Sequence, residues 1–222
     1  MSEFVYRAVD PRNDEDMQKY FNLAEGLSNF LKNNASFDEN QMRWARIRMG
    51  AVEYVDLNDW VNKPLKPIEE EAHEFVFVCE KDGEFVGYVD ICDYHFDNDR
   101  IIEDEAGTIH EIYVKDEFQQ TDIAFKLLQM AVEKLLQLGK SKTYMEVQED
   151  NKNRFLHFAL ADGNVVKTST LKRRNGEETT SYTLQADLKF IEKLTPFKFA
   201  VRTAHIKKKM LQNAKNQEDL LV

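Results

Sequence analysis

The chain has 222 residues, and its 40 Asp and Glu outnumber its 30 Lys and Arg, so its formal charge is −10 at pH 7. Apolar residues make up 42% and include fifteen Phe, which excludes a disordered chain. The negative charge repels nucleic acid and anionic membranes, and it favours amine-bearing partners.

The pattern of apolar residues indicates a cytoplasmic protein. The first ten residues lack the features of a signal peptide, and no run reaches the roughly 18 apolar residues that a membrane span needs. The two cysteines, Cys79 and Cys92, lie in apolar strand-like runs. This placement favours a buried, reduced pair over a disulfide or a metal site, and the histidines show no metal-ligand spacing.

The N-terminal third is predicted to contain one strand and two helical regions. Alternation from Phe4 to Ala8 indicates the strand, which ends at Asp10-Pro11. Asn13 or Asp14 can cap the first helix. A second helical region runs from Glu39 to Val61, and we expect Gly50 to divide it.

The middle of the chain reads as a hairpin, a strand and a long helix. Residues 73–80 and 84–93 are β-rich and flank a turn at Lys81-Asp82-Gly83, which predicts an antiparallel pair. Residues 107–114 form the next strand. From Thr121 the apolar residues follow a helical period to Leu138, and Gly139 can end that helix.

The last third is predicted to add a strand, a helix, a hairpin and a tail. Residues 142–148 form a strand that we expect to pair in parallel, because it follows a crossover helix. Residues 151–161 are helical, and residues 165–173 and 179–188 flank the hairpin signal Asn175-Gly176. Beyond Pro196 a Lys-rich helical tail extends to about Lys215.

The junction after Val114 is a candidate anion site. A loop from Lys115 to Gln120 opens directly into the long helix, whose first turn has unpaired N–H groups and partial positive charge. Spacing alone does not specify a ligand here, because every crossover helix has such a terminus.

The residues of this junction resemble a family motif. Val114 is followed by Gln119 five positions later, then by Gln120, Thr121, Asp122, Ile123 and Ala124, before Leu127-Leu128. In the GNAT N-acetyltransferase superfamily, Val is followed at the same spacing by Gln or Arg, two glycines, and Gly or Ala before a Leu pair. The element order from Phe4 to Leu188 also resembles that family.

The resemblance implies an α/β fold with a mixed central sheet of about seven strands flanked by helices. The family domain would cover residues 1–189, and residues 190–222 would be a Lys-rich helical extension. It also implies acetyl-CoA as co-substrate. The amides of residues 120–124 would then cradle the pyrophosphate, with Gln119 as the first motif residue, and the backbone of Ile112, Tyr113 and Val114 would pair with the pantetheine arm.

Two residues of the loop depart from the family pattern. Gln120 and Asp122 stand where the family has glycines, which let backbone approach phosphate closely. The Asp122 carboxylate would also oppose a phosphate by about 1 kcal/mol or more. In the alternative interpretation, Asp122 supplies favourable negative charge to the first turn of an ordinary helix.

A second family signature is an Asn after the next strand, followed by a small residue and a Tyr. The matching positions are Asn151, Arg154 and Phe158, and the resemblance assigns Asn151 and Phe158 to the coenzyme site. Phe158 lacks the hydroxyl with which the family Tyr can protonate the leaving thiolate.

Glu111 and His110 are the candidate general bases, since the family places carboxylates near this point of the strand. Strand alternation sends the two side chains to opposite faces, so one of them can face the substrate. In the alternative interpretation, either residue is simply a solvent-facing polar side chain.

The sequence therefore predicts an N-acetyltransferase that acts on an amine-bearing small molecule or peptide. Trp44, Tyr54, Trp60 and the acidic run Glu69–Glu71 are expected near the acceptor. One alternative is a catalytically impaired relative that binds a ligand or partner. Another is an interaction protein acting through residues 190–222, and the tail also allows a homodimer.

Overall fold

The computed structural model describes residues 3–30, 39–51, 73–97, 100–101, 104–119, 121–151, 153–172 and 176–219. Six helices and nine strands are numbered here in chain order within these ranges. They are β1 (Val5–Ala8), α1 (Asp14–Phe30), α2 (Glu39–Arg48), β2 (Glu74–Lys81), β3 (Glu84–Cys92), β4 (Phe96–Asp97), β5 (Arg100–Ile101), β6 (Ala106–Val114), α3 (Ile123–Gln137), β7 (Lys142–Gln148), α4 (Arg154–Leu160), β8 (Val165–Lys172), β9 (Glu178–Asp187), α5 (Leu188–Glu192) and α6 (Pro196–Asp219).

Seven of the strands form one sheet in the order β1-β2-β3-β6-β7-β9-β8. This confirms the predicted α/β class and the number of strands. The acidic stretch before β6 holds a further two-stranded hairpin, β4–β5, which the sequence pattern did not predict. In the part of the chain that the structure describes, no helix is long and apolar enough to cross a bilayer.

The chain divides into two compact units. The first comprises Met1–Tyr94 and Ile109–Ala131, and the second comprises His95–Thr108 and Val132–Val222.

The first unit contains the predicted hairpin β2–β3. Asp82 and Gly83 in its turn both have positive φ angles, 54° and 82°, as a tight right-twisted hairpin requires. The strands are antiparallel, with Val78 opposite Tyr88 and Val76 opposite Asp90. These four side chains therefore share one face of the sheet.

Helix α1 contributes buried side chains to the core of the first unit. Its cap is Asn13, whose Oδ1 accepts hydrogen bonds from Glu15 N at 2.9 Å and Asp16 N at 3.2 Å. The buried core residues of this unit include the following side chains of α1 and the sheet: Met17, Tyr20, Phe21, Ala24, Leu27, Val76, Val78 and Tyr88.

Helix α2 ends as predicted before Gly50, which has a φ of 72°, while Ala51 N donates to Arg46 O. The rest of the predicted helical region, with Tyr54 and Trp60, lies outside the described residues. So do the acidic run Glu69–Glu71 and the side chain of Trp44.

The second unit contains the antiparallel ladder β7–β9–β8. Its tail helix α6 is longer than the predicted 196–215 and packs on α4. Arg202 Nε donates to the carbonyl of Ala159 at 2.8 Å, its guanidinium pairs with Asp162, and it lies 4.7 Å from the ring centroid of Phe190.

Both cysteines, which belong to the first unit, are buried free thiols as predicted.

Candidate active site

The loop between β6 and α3 is held by its own side chains. Residues Asp116–Phe118 form a short 3₁₀ turn. The side-chain amide of Gln119 donates to Val114 O at 3.2 Å and to Asp116 Oδ1 at 2.7 Å. The predicted motif residue Gln119 therefore ties the loop back to the end of β6, while Gln120 lies outside the described residues.

Thr121 and Asp122 shape the start of α3. Thr121 Oγ1 donates to Phe118 O at 2.6 Å and accepts from Ile123 N at 3.4 Å, which makes it a capping residue. The half-exposed Asp122 carboxylate pairs with Lys126 at 3.0 Å, one turn further along the helix. A cation thus accompanies the carboxylate, and this reduces the predicted repulsion of phosphate.

The C-terminal end of β6 lies close to β3. Lys115 N donates to Val86 O at 2.9 Å. A Cβ atom at the neighbouring Gly87 would lie 3.1 Å from the carbonyl oxygen of Tyr113 and from Val114 Cγ2, and 3.2 Å from Ile123 Cγ2. The absence of a side chain at Gly87 allows this approach. Tyr113 and Val114 belong to the segment whose backbone is predicted to pair with the pantetheine arm.

Glu111 is hydrogen-bonded to a buried tyrosine. The hydroxyl of Tyr88, whose side chain is completely buried, donates to Glu111 Oε2 at 2.5 Å. Glu111 itself keeps substantial solvent contact, so a substrate can reach this side chain. Its predicted alternative, His110, is also exposed.

Glu111 and Tyr88 belong to a cluster of polar side chains that contains two further carboxylates, Glu74 and Asp90. Glu74, which is 4% exposed, pairs with Arg48 of α2 through two hydrogen bonds, the longer of 3.3 Å. Asp90 is 8% exposed and accepts a hydrogen bond from the Tyr20 hydroxyl at 3.2 Å. Its other oxygen, Oδ1, is buried and has no hydrogen-bond partner among the described residues.

The cluster holds more negative than positive groups, and this changes the pKa values. Burial raises the pKa of Asp90 well above its usual value, and the nearby charges of Glu74 and Glu111 act in the same direction. Burial also raises the pKa of Glu111, and Glu74 adds to this, while the Tyr88 hydrogen bond opposes it. Burial is the largest of these effects and gives the shift its upward direction, and the exposed area of Glu111 limits its size.

The tyrosines of the cluster remain donors. Burial raises the pKa values of Tyr20 and Tyr88 well above the usual value for tyrosine, followed by the charges of Asp90 and Glu111 respectively. Their rings meet edge to face with centroids 5.4 Å apart. Both hydroxyls are therefore protonated at neutral pH and can hold a carboxylate.

The sequence analysis named Glu111 as a candidate base but did not predict the cluster of residues around it, which are Tyr20, Arg48, Glu74, Tyr88 and Asp90. One signal was present. Asp90 interrupts a strand that is otherwise apolar, and its period of two places it on the same face as Tyr88. Arg48 and Glu74 carried no such signal, because their pairing joins a helix and a strand that are distant in sequence.

The second unit holds the other two predicted site residues. Asn151 Oδ1 accepts from Asn153 N at 2.8 Å, and its carbonyl accepts from Arg154 N at 3.0 Å, so Asn151 shapes the start of α4. Phe158 is buried and meets Tyr182 edge to face at 5.4 Å. Both residues have structural roles within this unit.

The seven-stranded mixed sheet flanked by helices matches the fold of the GNAT acetyltransferases. The model of the Acetyltransferase (GNAT) family matches residues 39–159, which is more than half of the chain. The chain belongs to this family. No curated protein sequence matches it.

Solved structures with the same fold include several acetyltransferases. An N-acetyltransferase from Staphylococcus aureus Mu50 is 13% identical with a TM-score of 0.60, over 84% of this chain and 99% of that one. The structure of yncA from Salmonella typhimurium with its cofactor acetyl-CoA is 15% identical, with a TM-score of 0.58 over 83% and 94%. The ribosomal-protein-S18-alanine N-acetyltransferase from Escherichia coli is 11% identical, with a TM-score of 0.52 over 84% and 94%. At these identities the likeness shows the fold.

Proposed function

We propose that this protein transfers an acetyl group from acetyl-CoA to an amine, with Glu111 as the general base. The observation that carries the proposal is the Glu111 carboxylate, which is accessible, is held by Tyr88 and lies three residues before the end of β6. A raised pKa suits a general base, because proton transfer is most effective when the pKa of the base approaches the working pH.

In the proposed reaction Glu111 takes a proton from the substrate ammonium. The neutral nitrogen attacks the thioester carbonyl carbon, the C–S bond breaks, and the coenzyme leaves as a thiolate. The proton that the nitrogen loses after attack balances the one that the thiolate sulfur takes up. Phe158 cannot donate that proton, so solvent or the substrate nitrogen supplies it. Positioning by the loop supplies the rest of the catalysis.

The test of catalysis is the pair Glu111→Gln and His110→Gln. Release of free CoA and the mass of the acetylated product are measured with a panel of small amines and peptides with free N-termini. We expect Glu111→Gln to lower kcat by about 10²-fold or more. A larger loss in His110→Gln would make His110 the base instead.

Binding of the coenzyme is tested separately by the melting temperature. Acetyl-CoA should raise it by mass action, and the increase should grow with the logarithm of the acetyl-CoA concentration above the dissociation constant. Asp122→Gly should tighten binding because it removes a carboxylate, and Lys126→Ala should weaken binding because it leaves that carboxylate unpaired. Glu133→Gln, an exposed acidic position on the same helix, is the matched control. No shift at millimolar acetyl-CoA would overturn the enzyme proposal.

Failure of that test would favour the second candidate function, a GNAT-fold module that binds a ligand or partner without catalysis. Phe158, which lacks the hydroxyl, and the replacement of two loop glycines by Gln120 and Asp122 support this candidate. The proposal also places the protein in the cytoplasm, as a family domain at 1–189 with a helical extension at 190–222. Cell fractionation tests the cytoplasmic location, and light scattering tests whether the extension mediates a homodimer.

A further inference from the structure

Glu111 belongs to a cluster to which four other elements contribute groups. Tyr88 and Asp90 come from β3, Glu74 from β2, Tyr20 from α1 and Arg48 from α2. Tyr88 donates a hydrogen bond to the Glu111 carboxylate, and the Glu74 carboxylate raises the pKa of Glu111. Such an arrangement can set the pH at which a base becomes active.

Tyr88 stabilises the ionised form of Glu111. Its hydroxyl donates to Oε2 at 2.5 Å, the length of a strong bond to a charged acceptor. The tyrosine is completely buried and its ring is fixed edge to face against Tyr20. The donor therefore has little freedom to leave the carboxylate.

Glu74 acts against the ionised form. Its carboxylate is buried on the face of the sheet that carries Tyr88 and Asp90, and its charge raises the pKa of Glu111. Arg48 forms two hydrogen bonds to the Glu74 carboxylate and so offsets much of its charge. The guanidinium on α2 thus influences Glu111 through a carboxylate on β2.

We propose that Tyr88 and Glu74 are positioning residues that shift the ionisation of Glu111 in opposite directions, and that Arg48 limits the effect of Glu74 by pairing with it. The role in catalysis rests on the proposed function. The effect on Glu111 itself does not, because it is a property of the cluster that exists without substrate.

The experiment measures the pKa of Glu111 directly by ¹³C NMR of protein labelled at the glutamate side-chain carboxyl carbon. The Glu111 signal is assigned by its absence from Glu111→Gln. Tyr88→Phe removes the donor and should raise this pKa by about half a unit or more. Glu74→Gln removes a negative charge and leaves Arg48 nearby, so the pKa should fall.

Two further variants complete the design. Arg48→Met leaves Glu74 unpaired and should raise the pKa of Glu111. Tyr20→Phe is the matched control, because it removes a buried hydroxyl that donates to Asp90 and not to Glu111. We expect the pKa of Glu111 to change less in this variant than in Tyr88→Phe, although the protein loses some stability.

A purely structural role would not shift the pKa of Glu111 in opposite directions in the two variants. Upward shifts in Tyr88→Phe and a downward shift in Glu74→Gln support the proposal. Equal shifts in all variants, or none in Tyr88→Phe, overturn it. Should Arg48→Met fail to fold, the first two variants still give the opposite signs.

Activity provides the second readout. The acid limb of the pH profile of kcat/KM should move to higher pH in Tyr88→Phe and to lower pH in Glu74→Gln, by the same number of pH units as the NMR pKa values. If the NMR values move as expected in a protein without acetyltransferase activity, the cluster proposal stands and the proposed function fails. If activity is present but the NMR pKa values do not change, the proposed function stands and the cluster proposal fails.

Discussion

At the scale of single residues, two glycines approach Tyr113 in different ways. A Cβ atom at Gly87 would lie 3.1 Å from the Tyr113 carbonyl oxygen, which belongs to the backbone and cannot easily move. A Cβ atom at Gly26, in helix α1, would lie 3.5 Å from the Tyr113 ring, which is an ordinary contact. The same substitution should therefore have opposite effects at the two positions.

Gly87→Ala should destabilise the protein by about 1–3 kcal/mol, because three neighbours would have to shift. Gly26→Ala, the matched control, should stabilise it by up to about 1 kcal/mol, because alanine favours the helix. Urea unfolding followed by circular dichroism measures both. An unchanged midpoint for Gly87→Ala would show that β3 and the end of β6 can separate without cost.

At the scale of elements, the tail helix α6 depends on Arg202. This side chain bonds a carbonyl near the end of α4, pairs with Asp162 and contacts the Phe190 ring. A cation at the C-terminal end of a helix also interacts favourably with the helix dipole. One residue thus joins α6 to α4 and to the segment between β9 and the tail.

Arg202→Ala should cost about 1–3 kcal/mol and loosen the packing of α6. Limited trypsin digestion should then cleave the Lys-rich tail faster than in the native protein. Lys198→Ala, an exposed position on the same helix, is the control and should leave the rate of cleavage elsewhere in the tail unchanged. Equal digestion patterns for the two variants would contradict a role for Arg202.

The elements themselves were largely predictable, because they depend on local patterns. Alternation marked β2 and β3, turn residues marked Asp82 and Gly83, and the helical period from Thr121 marked α3. The β4–β5 hairpin was missed because Phe96–Asp97 and Arg100–Ile101 are too short to show alternation. The cap of α1 was left between Asn13 and Asp14, and the hydrogen bonds to Asn13 Oδ1 decide it.

At the scale of the whole molecule, stability should depend on pH through groups whose pKa values change on folding. Burial lowers the pKa of His157 in α4 to about 4, and an interaction with the backbone of Asn153 opposes this only in part. The folded protein thus keeps this histidine neutral while the unfolded chain binds a proton below about pH 6.5. Asp90 and Glu111, with raised pKa values, act in the opposite direction as the pH falls.

His157→Gln should isolate the histidine contribution, because glutamine does not titrate. The native protein should lose about 1–3 kcal/mol relative to this variant as the pH falls from about 6.5 to about 4, and the difference should be constant above pH 7. Urea midpoints of the two proteins at several pH values measure it. Parallel curves across that window would show that His157 is protonated in the folded state.

The sequence by itself determined the elements, the order in which they occur and the resemblance at residues 109–128, since periodicity, turn chemistry and motif spacing are local. Only the tertiary structure decided that Tyr88, Glu74 and Arg48 form a cluster with Glu111. The physical reason is that the ionisation of a carboxylate depends on hydrogen bonds, burial and charges within a few ångströms. The Tyr88 and Glu74 groups come from strands that are distant from Glu111 in sequence and meet it only in the folded sheet.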